Sequence, residues 1–273
     1  MKPAKLDTGY SVPPVERAIA LLRYIGNGNR GRNISKTSKE LGINRTTLIR
    51  LIHTLLSSRM IEEIEEGAGY RLGPGLIGLA AQAIHSRDIV RVTQPILETL
   101  SAETGLSAHM GILDGRDIVY LAREAPNTHL VSNMHAGSRL PAHASSIGRA
   151  ILSEMPEDDI RKLFQGHTLT ALTDKTPVSV DQLLEQAHQD QELGYAWSSG
   201  NFERGIGSCG AAILDHSGAP AGGLNVSGPQ ELFADSKNED ADRVRESVVK
   251  AARDASIALG FTGSRWLHSQ QDS

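Results

Sequence analysis

Six side chains suited to contact with nucleic acid crowd one short segment, GINRTTLIRLIHTLLSSRMIEE (residues 42–63): Arg45, Thr46, Thr47, Arg50, His53 and Ser57. On a helical wheel of roughly 100° per residue, Leu48, Leu51, Ile52 and Leu55 form one apolar stripe. Thr46, Arg50, His53 and Ser57 fall on the opposite face, flanked by Thr47 and Thr54, and Arg45 lies in the first turn. A helix that reads DNA needs this division, with an apolar back against its neighbours and short polar or Arg side chains towards base edges. Arg takes guanine O6 and N7 together, and Thr offers a hydroxyl and a methyl. One good bidentate contact discriminates by roughly 1–3 kcal/mol. A merely solvated amphipathic helix has the same pattern, so the neighbouring elements must decide.

Those neighbours fit a DNA-binding unit. Residues 15–26 place Ala18, Leu21, Leu22 and Ile25 at helical spacing and close on Gly26. Gly42 ends the next helix, for which Ser35 is a plausible N-cap, and only Ile43 separates Gly42 from Asn44, the N-cap of the polar helix. Two short helices with so tight a turn read as a helix-turn-helix. Residues 60–73 then read as a hairpin turning at Gly67 and Gly69, which completes a winged helix-turn-helix. Arg30, Arg32, Lys36 and Lys39 are candidate phosphate contacts, or plain surface charge. Residues 15–60 hold 9 Lys+Arg against 2 Asp+Glu, although the whole chain has a formal charge of -4. That local excess suits a polyanion. The hairpin argues the other way through Glu62, Glu63, Glu65 and Glu66. A weak wing contribution is expected, with Arg71 its one basic candidate.

The remaining chain has a different character. Residues 1–14 and 263–273 read as flexible tails, 15–73 as the winged helix domain, 74–88 as a linker helix opened by Pro74, and 89–262 as a second domain. In the latter, strands pair around the turns DGRD and HSGAP, HLVSNM reads as a further strand, and helices are segregated between. This is an α+β pattern with an antiparallel sheet. The single cysteine, Cys209, forms no internal disulfide, and the N-terminus lacks the apolar core of a signal peptide. A cytoplasmic protein, not associated with a membrane, is expected.

In LPAHASSIGRAIL, Ala144, Ser145 and Ser146 stand at a loop-to-helix junction. Free N–H groups at a helix start favour anions, and the serines either cap the helix or reach a ligand carboxylate. Asn225 and Ser227 share a strand face, and either line a pocket or satisfy a strand edge. Ser208 and Cys209 point to opposite faces, so only one of them faces a pocket. Met110, Leu130 and Met134 offer an apolar floor, or core packing. Such a site suits a small organic acid, amide or aromatic compound. His109, His135 and His143 match no metal-ligand spacing, and no cofactor or metal is expected. Enzymatic use of Ser145, Ser146 or Cys209 lacks a GxSxG elbow and an oriented histidine.

Across residues 15–262 the chain resembles the IclR family of bacterial transcriptional regulators. The resemblance rests on VERAIALLRYI, GINRTTLIRLIHTLLSSRMIE, GYRLGPGLIGLA, GSRLPAHASSIGRAIL, GYAWSSGNFERGIGSCGAAILD and GAPAGGLNVSGP, in that order. It implies a winged helix domain, a linker helix and a GAF-like effector domain, in dimers often paired into tetramers on palindromic operators. Repression is the expected output. Two departures stand out. Thr37 and Ser38 replace a usual Leu-Ala pair in the second helix. Ser198 and Ser199 stand where the family often has an acidic residue, and Ser208, with Cys209 next to it, where it often has Cys. By family position Ser208, rather than Cys209, faces the effector, and Ser198 joins the same site.

Overall fold

The computed structural model describes residues 11–65, 67–126, 134–234 and 238–263. The chain divides into two compact units, Met1–Ser86 and Arg87–Ser273.

The first unit contains α1 (Pro13–Gly26), α2 (Ile34–Leu41), α3 (Arg45–Ser57), the antiparallel pair β1 (Ile61–Glu63) and β2 (Tyr70–Leu72), and α4 (Pro74–His85). Helix α1 begins inside the expected tail, because Pro13 and Pro14 occupy its first turn, where a missing N–H costs nothing. The cap of α2 also differs from expectation. Asn33, not Ser35, accepts the Lys36 N–H at 3.0 Å, and Ser35 lies exposed within the helix. Asn is as good a cap as Ser, and starting at Asn33 lets Ile34 join the core.

Gly42 then takes the left-handed conformation, φ 65°, and turns the chain into α3. The Ser38 hydroxyl donates to the Ile43 carbonyl at 2.6 Å across this turn, and Thr37 is buried beneath it. The two polar substitutions in α2 are thus accommodated by one hydrogen bond and one buried methyl. Leu21, Ile25, Ile43, Leu48, Ile52, Leu55 and Ile61 form the core, with Leu51 packed at its edge. By contrast α4 is apolar and barely covered, with Ile77 71% and Leu79 52% exposed.

The second unit is built on a six-stranded antiparallel sheet in the order β5-β4-β3-β8-β7-β6. Its strands are β3 (Ser107–Asp114), β4 (Asp117–Glu124), β5 (Arg139–Pro141), β6 (Ala196–Ser199), β7 (Ile206–Leu214) and β8 (Pro220–Pro229). Its helices are α5 (Asp88–Thr104), α6 (Ser146–Ser153), α7 (Glu157–Phe164), α8 (Val180–Leu193) and α9 (Glu239–Ala258). The strand expected over HLVSNM lies outside the described residues except for Met134, as do residues 1–10 and 264–273 of the expected tails.

Alternation along the strands gives the sheet two different faces. Leu97 and Leu100 of α5 and Val248 of α9 pack on Met110, Cys209, Leu224 and Val226. On the other face Ile118 and Tyr120 meet Ile147, Ile151 and Leu152 of α6, which α7 and α8 back with Phe164 and Leu183. Met110 therefore belongs to the first core and not to a pocket floor. Helix α6 lies very close to the sheet because a Cβ on Gly210 would stand 2.9 Å from the Ser146 carbonyl carbon.

A bulge interrupts the β3–β4 ladder: Met110 pairs with Ala122 and Gly111 with Tyr120, leaving Leu121 as the extra residue. It puts Tyr120 and Arg123, three positions apart, on one face. A buried ion pair ties α6 to α8 and β6. The Arg149 guanidinium donates to both Asp190 oxygens at 2.9 and 2.6 Å and to the Trp197 carbonyl at 3.1 Å. Burial pushes the Asp190 carboxyl up, and Arg149 works against that.

Candidate functional site

Helix α3 presents the polar surface read from the sequence. Asn44 caps it by accepting the Thr47 N–H at 2.8 Å. Arg45, Thr46, Arg50 and His53 are exposed, and Thr47 is half-buried beside the cap. Among the described residues Arg30, Arg32, Arg45 and Arg50 have no acidic partner, whereas Lys36 stands 3.8 Å from Glu40. Four guanidinium groups are thus available to phosphates or base edges.

The hairpin is fastened to the loop that carries Arg30. The Tyr70 N–H donates to the Arg30 carbonyl at 2.7 Å. Gly69, at φ +101°, permits this approach, since a Cβ there would lie 2.3 Å from that oxygen. Arg71, the expected basic residue of the wing, instead binds Glu62 across the ladder at 2.6 Å. Glu66 lies outside the described residues.

In the second unit a cavity of about 190 Å³ opens between the sheet and the start of α6. Met134, Ser145, Ser146, Ser198, Ser208, Asn225 and Ser227 all line it. Ser198, Ser208, Ser227 and Ser107 form one cross-strand row over β6, β7, β8 and β3. Cys209 is fully buried in the opposite core, as strand alternation requires, and burial pushes its thiol up.

Ala144 does not line the cavity. It is buried, and its N–H is used within the turn on the Pro141 carbonyl. Ser145 acts as the N-cap of α6, accepting the Gly148 N–H at 3.1 Å, while its neighbour Ser146 accepts from Asn225 Nδ2 at 3.0 Å. Of the two readings, Ser145 meets the capping one, and both serines line the cavity. Leu130 lies outside the described residues.

The cavity has walls that sequence reasoning missed: His109, Tyr120, Leu140, Phe202, Glu203 and Ile206. His109 is 1% exposed, its Nδ1 lies 3.1 Å from Asn225 Oδ1, and its ring stands edge-on to Tyr120 with centroids 5.3 Å apart. Burial lowers its pKa to about 4, the hydrogen bond with Asn225 works against this, and Arg123 adds to the lowering. The signal for His109 was its alternation with Ala108 and Met110 in β3. Phe202 and Glu203 come from a loop held at Asn201, whose carbonyl accepts from Thr176 at 2.6 Å. Among the described residues no three His, Cys, Asp or Glu side chains are grouped to hold a metal ion.

A polar helix in a winged fold and a separate lined cavity describe a binding protein with two ligands. Residues 14–65 match the IclR helix-turn-helix domain, and residues 81–257 match the bacterial transcriptional regulator IclR C-terminal domain. The chain belongs to the IclR family. It is 30% identical to the HTH-type transcriptional regulator XynR of Escherichia coli K12, over 92% of this chain and 98% of XynR. It is 28% identical to the transcriptional repressor IclR of the same strain, over 91% and 90% of the two chains. In structure it is similar to the transcriptional regulator RHA06195 of Rhodococcus sp. RHA1, with a TM-score of 0.77, 27% identity and coverage of 91% and 98%. As an IclR-family protein it is a DNA-binding transcriptional regulator rather than an enzyme. No helix among the described residues is long and apolar enough to cross a membrane.

Proposed function

We propose that this IclR-family regulator is a cytoplasmic repressor whose hold on a palindromic operator is changed by a small organic acid, amide or aromatic effector. The observation that carries the reading is the pairing, in one chain, of unpartnered Arg45 and Arg50 on an exposed helix with a lined cavity in the other unit. Arg45, Thr46, Thr47, Arg50 and His53 read base edges, while Arg30, Arg32 and Lys36 hold phosphates. Met134, Ser145, Ser146, Ser198, Ser208, Asn225 and Ser227 surround the effector. Two copies, or four, cover the exposed Ile77 and Leu79 of α4 and match the symmetry of the operator. The effector acts by binding the operator-competent and incompetent arrangements with different affinity.

The test is an anisotropy titration against DNA upstream of the protein's own gene and its neighbours, across salt and with small acids, amides and aromatics. Sequence-selective binding changed by one compound is expected. The Arg45→Ala, Arg50→Ala double variant should lose at least about tenfold in selective affinity. Ser208→Leu, which fills the cavity, should keep operator binding and lose the response. Wild-type affinity in the double variant would remove α3 as the reading helix, and an undiminished response in Ser208→Leu would remove the cavity as the effector site.

A further inference from the structure

The cavity face of the sheet carries a second cross-strand row beside the serines. Gly210 of β7 pairs with Asn225 of β8, Asn225 with His109 of β3, and His109 with Arg123 of β4. Directly paired residues of an antiparallel ladder project to the same side, with Cβ atoms roughly 5 Å apart. His109 lines the cavity and Arg123, its partner in the ladder, does not, and at this end of the row polar groups are buried without partners. Among the described residues, the buried side-chain nitrogen and oxygen atoms that lack any hydrogen bond are His109 Nε2 and the Nε and Nη2 of Arg123. Leaving such atoms unpaired costs roughly 1–3 kcal/mol each, more for a charged group. Three of them on two adjacent side chains mark a place where a partner belongs.

Their hydrogen-bonding roles are set by the rest of the row. Asn225 Nδ2 donates to Ser146, so Asn225 Oδ1 accepts from His109 Nδ1. The proton of the neutral imidazole therefore sits on Nδ1, and Nε2 is left as a lone-pair acceptor. Arg123 offers only N–H donors. A group that satisfies both must donate from one atom and accept at another nearby. A carboxylate has acceptors only and would set its lone pairs against that of Nε2. Before any ligand enters, burial beside Arg123 keeps this imidazole in its uncharged form. A carboxamide fits, with its carbonyl oxygen towards Arg123 and its N–H towards His109.

We propose that His109 and Arg123 form a carboxamide-reading subsite, so that the effector carries an amide-type group at this end of the cavity and its other polar group towards Ser146. This rests on the reading of the cavity as the effector site and narrows the effector from acids, amides and aromatics to amides. His109 and Arg123 are then specificity determinants, whereas Ser145 and Ser146 are common to any ligand that enters.

The test uses the full chain and two probes of nearly equal shape, succinamate and succinate, which share one carboxylate and differ only in the second group. Isothermal calorimetry at neutral pH should show succinamate binding about tenfold tighter than succinate, as expected when one partner leaves a buried polar atom unpaired. Arg123→Met removes the donors, and His109→Phe removes the acceptor while keeping a ring against Tyr120. In His109→Phe the preference should fall to within about threefold, whereas Arg123→Met should weaken both probes and leave succinamate preferred. Succinate binding as tightly as succinamate, a preference that survives His109→Phe, or no binding of either probe by the folded wild type overturns the subsite. Ser208→Leu separates the two readings. If it abolishes binding of both probes while the wild type shows no preference, only the amide subsite fails. If it leaves both affinities intact, the cavity itself is not where they bind.

Discussion

Lowering the pH from 7.5 to 5 should destabilise the second unit through His109. The imidazole is held at about 4, from an ordinary value of 6.5, chiefly because it is buried. The groups around it are Asn225 from β8 and Tyr120 and Arg123 from β4, and none of them is an anion that would favour the charged form. Between the two pKa values the unfolded chain binds the proton and the folded chain does not, so stability falls as the pH falls through that window. The full difference amounts to about 3 kcal/mol, of which about 2 kcal/mol is lost by pH 5. Urea unfolding followed by tryptophan fluorescence reads the right unit, because Trp197 lies in β6 and residues 1–86 contain no tryptophan. Other groups titrate in the same range, so the comparison is with His109→Gln, which removes this one titration. Wild type should lose about 2 kcal/mol more than the variant between pH 7.5 and 5. Curves that stay parallel to within about 0.5 kcal/mol would show that His109 takes up its proton equally in the folded and unfolded chain, and the effect assigned to its burial would be wrong.

Removing one member of the buried ion pair, as in Arg149→Met, should cost about 3–5 kcal/mol in the same assay, because Asp190 is left charged and enclosed. Replacing both, as Arg149→Met with Asp190→Leu, should recover much of that loss; a single variant within about 1 kcal/mol of wild type would contradict the enclosure. Cys209 should resist a thiol reagent in the native chain and react once urea unfolds it, since its thiol is fully buried and held protonated. Rapid native labelling would place the thiol outside the core.

The sequence made the first unit largely legible because its periodicity is strong and its turns carry their own chemistry. The stripe through Leu48, Ile52 and Leu55, the Gly42 turn and the Asn44 cap each point to the same arrangement. The error at α2 arose where two good caps, Asn33 and Ser35, lie two residues apart and only the packing of Ile34 chooses between them. The second unit was harder to read. Strands β5 and β6 are three and four residues long, too short for alternation to stand out. Met110 and Ser208 needed the register, not the residue type, to assign their faces. His109 and Tyr120 were invisible as a pair because their meeting depends on β3 and β4 lying side by side. Ala144 stands at the junction read from the sequence, just before the Ser145 cap, but its N–H closes the turn on Pro141 and it does not line the cavity.

The bulge at Leu121 decides how the parity of the chain is read on this side of the sheet. Counting along β4, Tyr120 and Arg123 would fall on opposite sides of a regular strand, and the extra residue alone reconciles them. If Leu121 were deleted and the pairing on either side held, the bulge would vanish and Tyr120 and Arg123 would stand two positions apart on a regular strand, still on one face. Relatives that share this face would therefore be expected either to keep a residue at the bulge or to lose it altogether, with both side chains directed to the same side in each case.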